Sequence, residues 1–348
     1  MIMIDSNVKF CDGVRHLYIP GLNSISGYIN GGLRQWLASS DHFLPRAYAK
    51  DDLLEVTFYD ATEVLSVWAR DIDRLSCAAI ETIVNITVSS KNKKFIAWNL
   101  VNYYYAAFYS AHSLLKILGF GLIQIDDSII RSIKQKCIAL GINEPHITNG
   151  MYCIQFDFMD SCMRFYKVNR YNESHKGLWQ RFSDFLSILI GVSVESGNYD
   201  STCIKIREPS EPHPQSLYTY LPSQDAERII SRLEELKSIL NVRGNHNWLS
   251  TVRNIVNYNH GFGVWYPYKL YNKQYDKVLD MANLCFNNPL NNIFDAAAES
   301  DLVIFTKYCQ LINALNIEVL YDLQGRHPEN KSFLRNGVMA YIKHYNVS

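Results

Sequence analysis

The chain has 348 residues, 48% of them hydrophobic and 20% charged, the composition of a globular protein able to bury a large core in one elaborate domain or two. Lys+Arg and Asp+Glu balance at 34 each, so no global basic field marks a nucleic-acid binder, and any RNA contact has to be local. The eight cysteines are scattered without a Cys-x-x-Cys pair, which argues against a zinc site; no leader is evident and no run of 18 apolar residues exists, so a cytoplasmic protein without membrane contact, metal or cofactor is expected.

Turn signals at Pro20-Gly21, Gly31-Gly32 and Pro45 break up the first sixty residues, where Val14–Ile19 and Leu54–Tyr59 alternate as short strands do. From Ala61 the period becomes helical, giving one helix to Trp68 or beyond and another over 73–88. The longest helical signal runs from Lys93 to Leu118, where Phe95, Trp98, Val101, Tyr105, Phe108, Leu115 and Leu118 recur at threes and fours until Gly119. Its tyrosines and His112 read as core or interface groups. Met151–Val168 is rich in β-forming and aromatic residues with a break near Asp160-Ser161, and one helix is expected over 178–190. Helical periodicity resumes at Ser223, a natural N-cap, and further helices are expected over 248–260, 273–286 and 301–315.

Chemistry concentrates in Trp248–Gly261. Seven residues at about 100° each return nearly to the starting angle, so Arg253 and His260 are expected on one helix face with Asn257 between them. Leu249, Val252, Ile255 and Val256 form the apolar stripe, and Gly261 is a natural stop. About one such Arg/His spacing arises by chance in a chain of this composition, so context must choose. The chain has three. Arg207/His213 lies among three prolines, which forbid a helix, and Arg170/His175 lies in a polar run that reads as a loop. Only Arg253/His260 sits in an amphipathic helical pattern. Asn254 and Asn257 are candidates to orient the imidazole or bind the RNA backbone, and Arg243 and His246 either contact phosphate or belong to a solvated loop before the motif. Trp265 and Tyr266 either stack a base or pack their loop onto the domain.

Two segments, Trp98–Leu115 with its Tyr/Ala-rich pattern and Arg253-Asn254 through His260, together resemble HEPN-domain ribonucleases of toxin and phage-defence systems. The resemblance covers residues 60–120 and 225–320. It implies a mainly α, HEPN-like helical bundle, with an N-terminal extension (1–60) and a mixed α/β insertion. Its first part is 61–141, the insertion with short strands is 142–225, the second part carrying the motif is 226–320, and a basic tail is 321–348. It also implies a homodimer through these helices, with both Arg/His pairs in one cleft, RNA as substrate and an antitoxin or sensor protein as partner. Cleavage would proceed by attack of the 2′-hydroxyl without metal. In some members a partner enzyme modifies a tyrosine two positions past the motif histidine; here that position is Phe262, which has no hydroxyl. The alternative is a non-catalytic HEPN-like module that binds a nucleotide, nucleic acid or partner protein. A third reading is an unrelated helical protein whose Arg/His spacing is accidental.

Overall fold

The computed structural model describes residues 9–27, 31–39, 41–47, 53–91, 95–168, 174–197, 203–207, 218–241, 246–265, 273–281 and 300–345. Helix α1 (Phe10–Val14) and a helical turn over Arg15–Leu17 occupy the place where alternation suggests a strand. They are followed by α2 (Leu33–Ser39), β1 (Phe43–Ala47) and β2 (Leu53–Phe58). Asp60 then caps α3 (Ala61–Ser89) by accepting the Thr62 N–H at 2.8 Å. This single helix spans both of the helices expected there. Helix α4 (Ile96–Ile117) ends at Gly119, whose left-handed φ of 82° turns the chain directly into β3 (Phe120–Ile125).

Helix α5 (Asp127–Leu140) is capped by Asp126, and a hairpin of β4 (Gly150–Asp157) and β5 (Cys162–Lys167) follows. Next come α6 (Ser174–Gly197), the paired strands β6 (Cys203–Arg207) and β7 (Tyr218–Pro222), and α7 (Ser223–Leu240). Helices α8 (Trp248–Asn257), α9 (Lys273–Asp280), α10 (Asp301–Gly325) and α11 (Val338–Tyr345) complete the described chain. Among the described residues no helix is long and apolar enough to cross a membrane.

The expected fold class is corrected. Strands β1 to β5 form one antiparallel sheet in the order β1-β2-β5-β4-β3, so the architecture is mixed α/β and not a helical bundle with strands appended. Residues 53–57 of the supposed extension pair with 162–166 of the supposed insertion. The physical reason is that periodicity reports which way side chains point locally, whereas pairing between strands a hundred residues apart leaves no local trace. A charge cluster fixes the register: Arg164 on β5 reaches Glu55 on β2 at 3.1 Å, and Asp157 on β4 and Asp160 at 2.6 Å each. Glu55 is buried, so slipping by one residue would strand its charge.

The sheet packs on α3 through Phe156, which meets the Trp68 ring edge-on at 5.7 Å, and on α6 through Phe120 and Phe185. Helix α4 runs through the middle, buried against α3, α6, α8 and α10. The first and last segments close the shell. Arg15 is clamped to Asp322 of α10 at 2.6 Å, the Phe333 N–H bonds the Ile25 carbonyl at 3.0 Å, and α11 buries Val338 and Met339 where it packs on α3. Gly337 lies so close to the Asp73 carboxylate that a Cβ there would collide with it, and Asp73 accepts the Val338 N–H at 2.8 Å.

Burial pushes the Asp73 carboxyl up to about 6, against a smaller opposing effect of the Val338 hydrogen bond. A carboxyl with a raised folded pKa favours the native state below its ordinary value of 3.8, and that contribution is lost as pH rises through about 6. The lost contribution is roughly 3 kcal/mol at most, from about two units at 1.36 kcal/mol each. Asp73→Asn keeps the acceptor and removes the proton. Its stability relative to the parent, measured by denaturant unfolding, is expected to rise between pH 4 and pH 7; an unchanged difference would place the Asp73 titration outside folding.

Candidate functional site

Helix α8 buries Leu249, Val252 and Val256 as its stripe requires, but Ser250 and Arg253 are buried as well. Arg253 is 5% exposed, and its guanidinium carbon lies 4.9 Å from the Tyr104 ring, 5.7 Å from Tyr105 and 5.9 Å from Tyr258. Stacking on ring faces offsets part of the cost of burying this charge. Among the described residues no carboxylate pairs with Arg253. The guanidinium is hydrogen-bonded to the Tyr104 hydroxyl, but its buried Nε is left without a partner.

His260 is placed differently from the sequence expectation. The helix ends at Asn257, the Tyr258 N–H closes on the Asn254 carbonyl at 2.9 Å, and His260 adopts a left-handed φ of 50° in solvent. Arg253 and His260 therefore do not share a helix face: one points inward and the other projects from the turn beyond. Two anchors set this turn. The Trp265 indole donates to the Val256 carbonyl at 2.6 Å, and the Tyr275 hydroxyl donates to the Phe262 carbonyl at 2.7 Å. Gly261 folds back against Ile255 so closely that any Cβ would overlap it, which is why glycine ends the motif.

Around His260 the surface is aromatic. The Trp265 ring meets His260 edge-on at 6.1 Å and Trp98 at 5.5 Å, while Trp98 and Tyr258 are more than half exposed and Phe262 is at the surface. Trp265 thus packs its loop onto the domain, against Trp98 of α4 and the Val256 carbonyl. Tyr258 joins this surface to the Arg253 guanidinium beneath it.

The supporting candidates scatter. His246, at a left-handed φ of 54°, bonds the Ser183 hydroxyl at 3.0 Å and so ties the approach to α8 onto α6. Asn254 and Asn257 are half-buried on α8, and Arg243 and Tyr266 lie outside the described residues. Sequence spacing passed over His175. It begins α6, its Nδ1 lies 2.9 Å from the Tyr104 hydroxyl, and its ring is 4.4 Å from Phe108. The signal that finds it is a stripe at every fourth position of α4, Tyr104, Phe108, His112 and Lys116, because a helix face gathers partners from other elements. Burial, then the Lys116 charge and His175, hold His112 down to about 3, so it is neutral near pH 7.

One described group has the spacing to hold a cation: Asp157, Asp160 and Cys162. Arg164 already occupies both carboxylates at 2.6 Å, and burial pushes the Cys162 thiol up to about 11, so the cluster fits an ion-pair network better than a metal.

The Tyr104 hydroxyl is the node of the inner site, taking the Trp179 indole N–H at 3.1 Å as well as His175. Burial raises its pKa, and hydrogen bonds with Ser250 and Trp179 and the Arg253 charge act against that rise. Tyr104→Phe leaves the buried Trp179 donor without its acceptor and is expected to cost about 1–3 kcal/mol in denaturant unfolding; a loss below a few tenths would show that the hydroxyl holds nothing. Compared with protein-family models, curated proteins and solved structures, the chain matches none of them.

Proposed function

We propose that this chain is a metal-independent endoribonuclease of the toxin or phage-defence kind, with Arg253 and His260 as its catalytic pair. The observation that supports it best is a buried guanidinium that no described carboxylate neutralises, on the same helix whose exit turn presents an exposed imidazole. The exposed rings of Trp98 and Tyr258 beside that imidazole are suited to stacking bases of a single strand. The resemblance of Trp98–Leu115 and Arg253–His260 to HEPN ribonucleases supports the chemistry, independently of the bundle architecture that this fold does not have.

In this reading the RNA 2′-hydroxyl attacks the adjacent phosphorus while its proton passes to an imidazole. The bond from phosphorus to the 5′-oxygen breaks, giving a 2′,3′-cyclic phosphate and a 5′-hydroxyl. Histidine exchanges protons near neutrality, and Arg253 stabilises negative charge on the phosphate. Tyr258, the exposed outer ring over the guanidinium, has to turn aside for a phosphate to reach it. One histidine supplies one proton-transfer group, so a homodimer that adds the same histidine from a second copy provides both base and acid. A second reading, a module that binds nucleotide, nucleic acid or a partner protein without catalysis, is favoured by one fact: Arg253 is only 5% exposed.

His260→Asn is the informative substitution, because asparagine tolerates the left-handed backbone at this position. It is expected to abolish RNA cleavage while the melting temperature stays within a few degrees, as for exposed substitutions generally. Cleavage at the parental rate would remove His260 from the mechanism.

Cleavage is also expected to persist in excess chelator and to stop when the nucleotide 5′ to the scissile phosphate is 2′-deoxy. Activity lost in chelator and restored by magnesium would mean a metal-dependent reaction, while no cleavage of any RNA by the parent would favour the binding module.

A further inference from the structure

Between α2, α3, α4 and β3 lies a cavity of about 460 Å³, lined in part by Phe108 and His112 and not by His175. Its size falls within the range of pockets that take small organic ligands, roughly 300–1,000 Å³. The lining is strongly one-signed for a chain whose charges cancel. Arg34, Arg70, Arg74 and Lys116 face it, with Asp71 as the single lining carboxylate.

The cations are arranged in two tiers. Lys116 is buried at the base, 3.1 Å from Asp71, and Asp71 is also 3.7 Å from Arg74. Burial would raise the Asp71 carboxyl, but the Lys116 charge and hydrogen bond outweigh it and hold the group below its ordinary range. At the mouth, the Arg34 and Arg74 side chains are 56% and 64% exposed, and Arg34 is joined to Asp126 outside the lining.

The remaining wall is apolar, with half-buried Leu122 and the edges of Leu75 and Phe108, and Gln124 supplies an amide at its border. His112, neutral near pH 7, adds a hydrogen-bonding ring without adding charge. An inorganic anion would use only the arginine mouth, and an apolar molecule only the wall. A ligand that uses both carries an anionic group on a flat ring system.

We propose that this cavity is a binding site for a free nucleotide, with its phosphates at Arg34, Arg70 and Arg74 and its base against Leu122 and Phe108. The site is separate from Arg253 and His260 and does not depend on their being catalytic. The two are joined by α4, whose Tyr104 lies under Arg253 and whose Phe108, His112 and Lys116 line the cavity.

Isothermal titration of the full chain with nucleoside mono- and triphosphates, the matching nucleosides and inorganic phosphate tests the proposal. At least one nucleotide is expected to bind, with its nucleoside and phosphate each at least about tenfold weaker, as loss of one charge-assisted contact would give. Arg34→Gln and Arg74→Gln change exposed side chains and should each weaken that nucleotide about tenfold at an unchanged melting temperature. Leu122→Trp, which fills the wall without altering charge, should weaken it as well. The proposal is overturned if no nucleotide binds at millimolar concentration, if nucleotides bind no better than phosphate, or if the arginine variants bind like the parent.

Discussion

A buried ion pair governs the centre of this protein. Lys116 is 4% exposed, its ammonium meets Asp71 at 3.1 Å and lies 4.1 Å from the centre of the Trp68 ring, and its carbonyl accepts the Trp68 indole N–H at 2.6 Å. Taking both charges out of water costs several kcal/mol each, and the pair holds only because the attraction and the added hydrogen bonds offset that cost. Removing Asp71 would take away the carboxylate that faces the buried lysine, whereas removing Lys116 would leave Asp71 only the longer contact with Arg74 at 3.7 Å. The pair therefore fixes the crossing of α3 and α4 at one place. Trp68, held on one side by the lysine, receives Phe156 of the sheet on the other. Sheet placement, helix crossing and the floor of the cationic cavity all depend on it.

The same helix shows how polar groups survive in an apolar centre. Ser113 bonds Ser76 at 2.8 Å, Ser110 bonds Asn313 at 2.8 Å, and Asn99 is bonded by Ser89. Each is a neutral pair between α4 and a neighbour, and each makes one relative position of two helices better than its alternatives. Arg253 breaks the pattern. It is charged, buried and stacked on rings, without an anion among the described residues. The three rings around it offset only part of the cost of burying a guanidinium.

Legibility in the sequence followed the range of the interaction that set each feature. The helical span of α4 is readable because Val101, Tyr105, Phe108 and Leu115 recur at helical spacing. Its full core face is not, since Phe95 and Trp98 of the same series are exposed while Tyr103 and Tyr104 are buried. The starts of α7 and α8 are readable from Ser223 and the stripe of Leu249, Val252 and Val256. Strand β2 is readable from its alternation, but its partner is not, since Glu55 meets Arg164 only through the folded sheet. The end of α8 escaped because the competing anchors, the Trp265 indole and the Tyr275 hydroxyl, lie eight or more residues past the helix and pull the turn out of helical geometry. His175 escaped for a related reason. Its spacing to Arg170 carries no information, whereas its place beside Tyr104 depends on how α6 packs against α4.

The order of strands in the sheet also constrains how the chain acquires its shape. Neighbours β1 and β2 are close in sequence, as are β4 and β5, and each hairpin can form early. The seam between β2 and β5 joins residues 53–57 to 162–166, so during synthesis β2 waits with one edge unpaired until the second hairpin has emerged. The intervening stretch contains α3 and α4, whose mutual contacts are short in range. That helical hairpin is the natural template: once it forms, Trp68 offers a ring for Phe156 and draws the second hairpin toward the first. Until then β2 has an open edge that can pair with another copy.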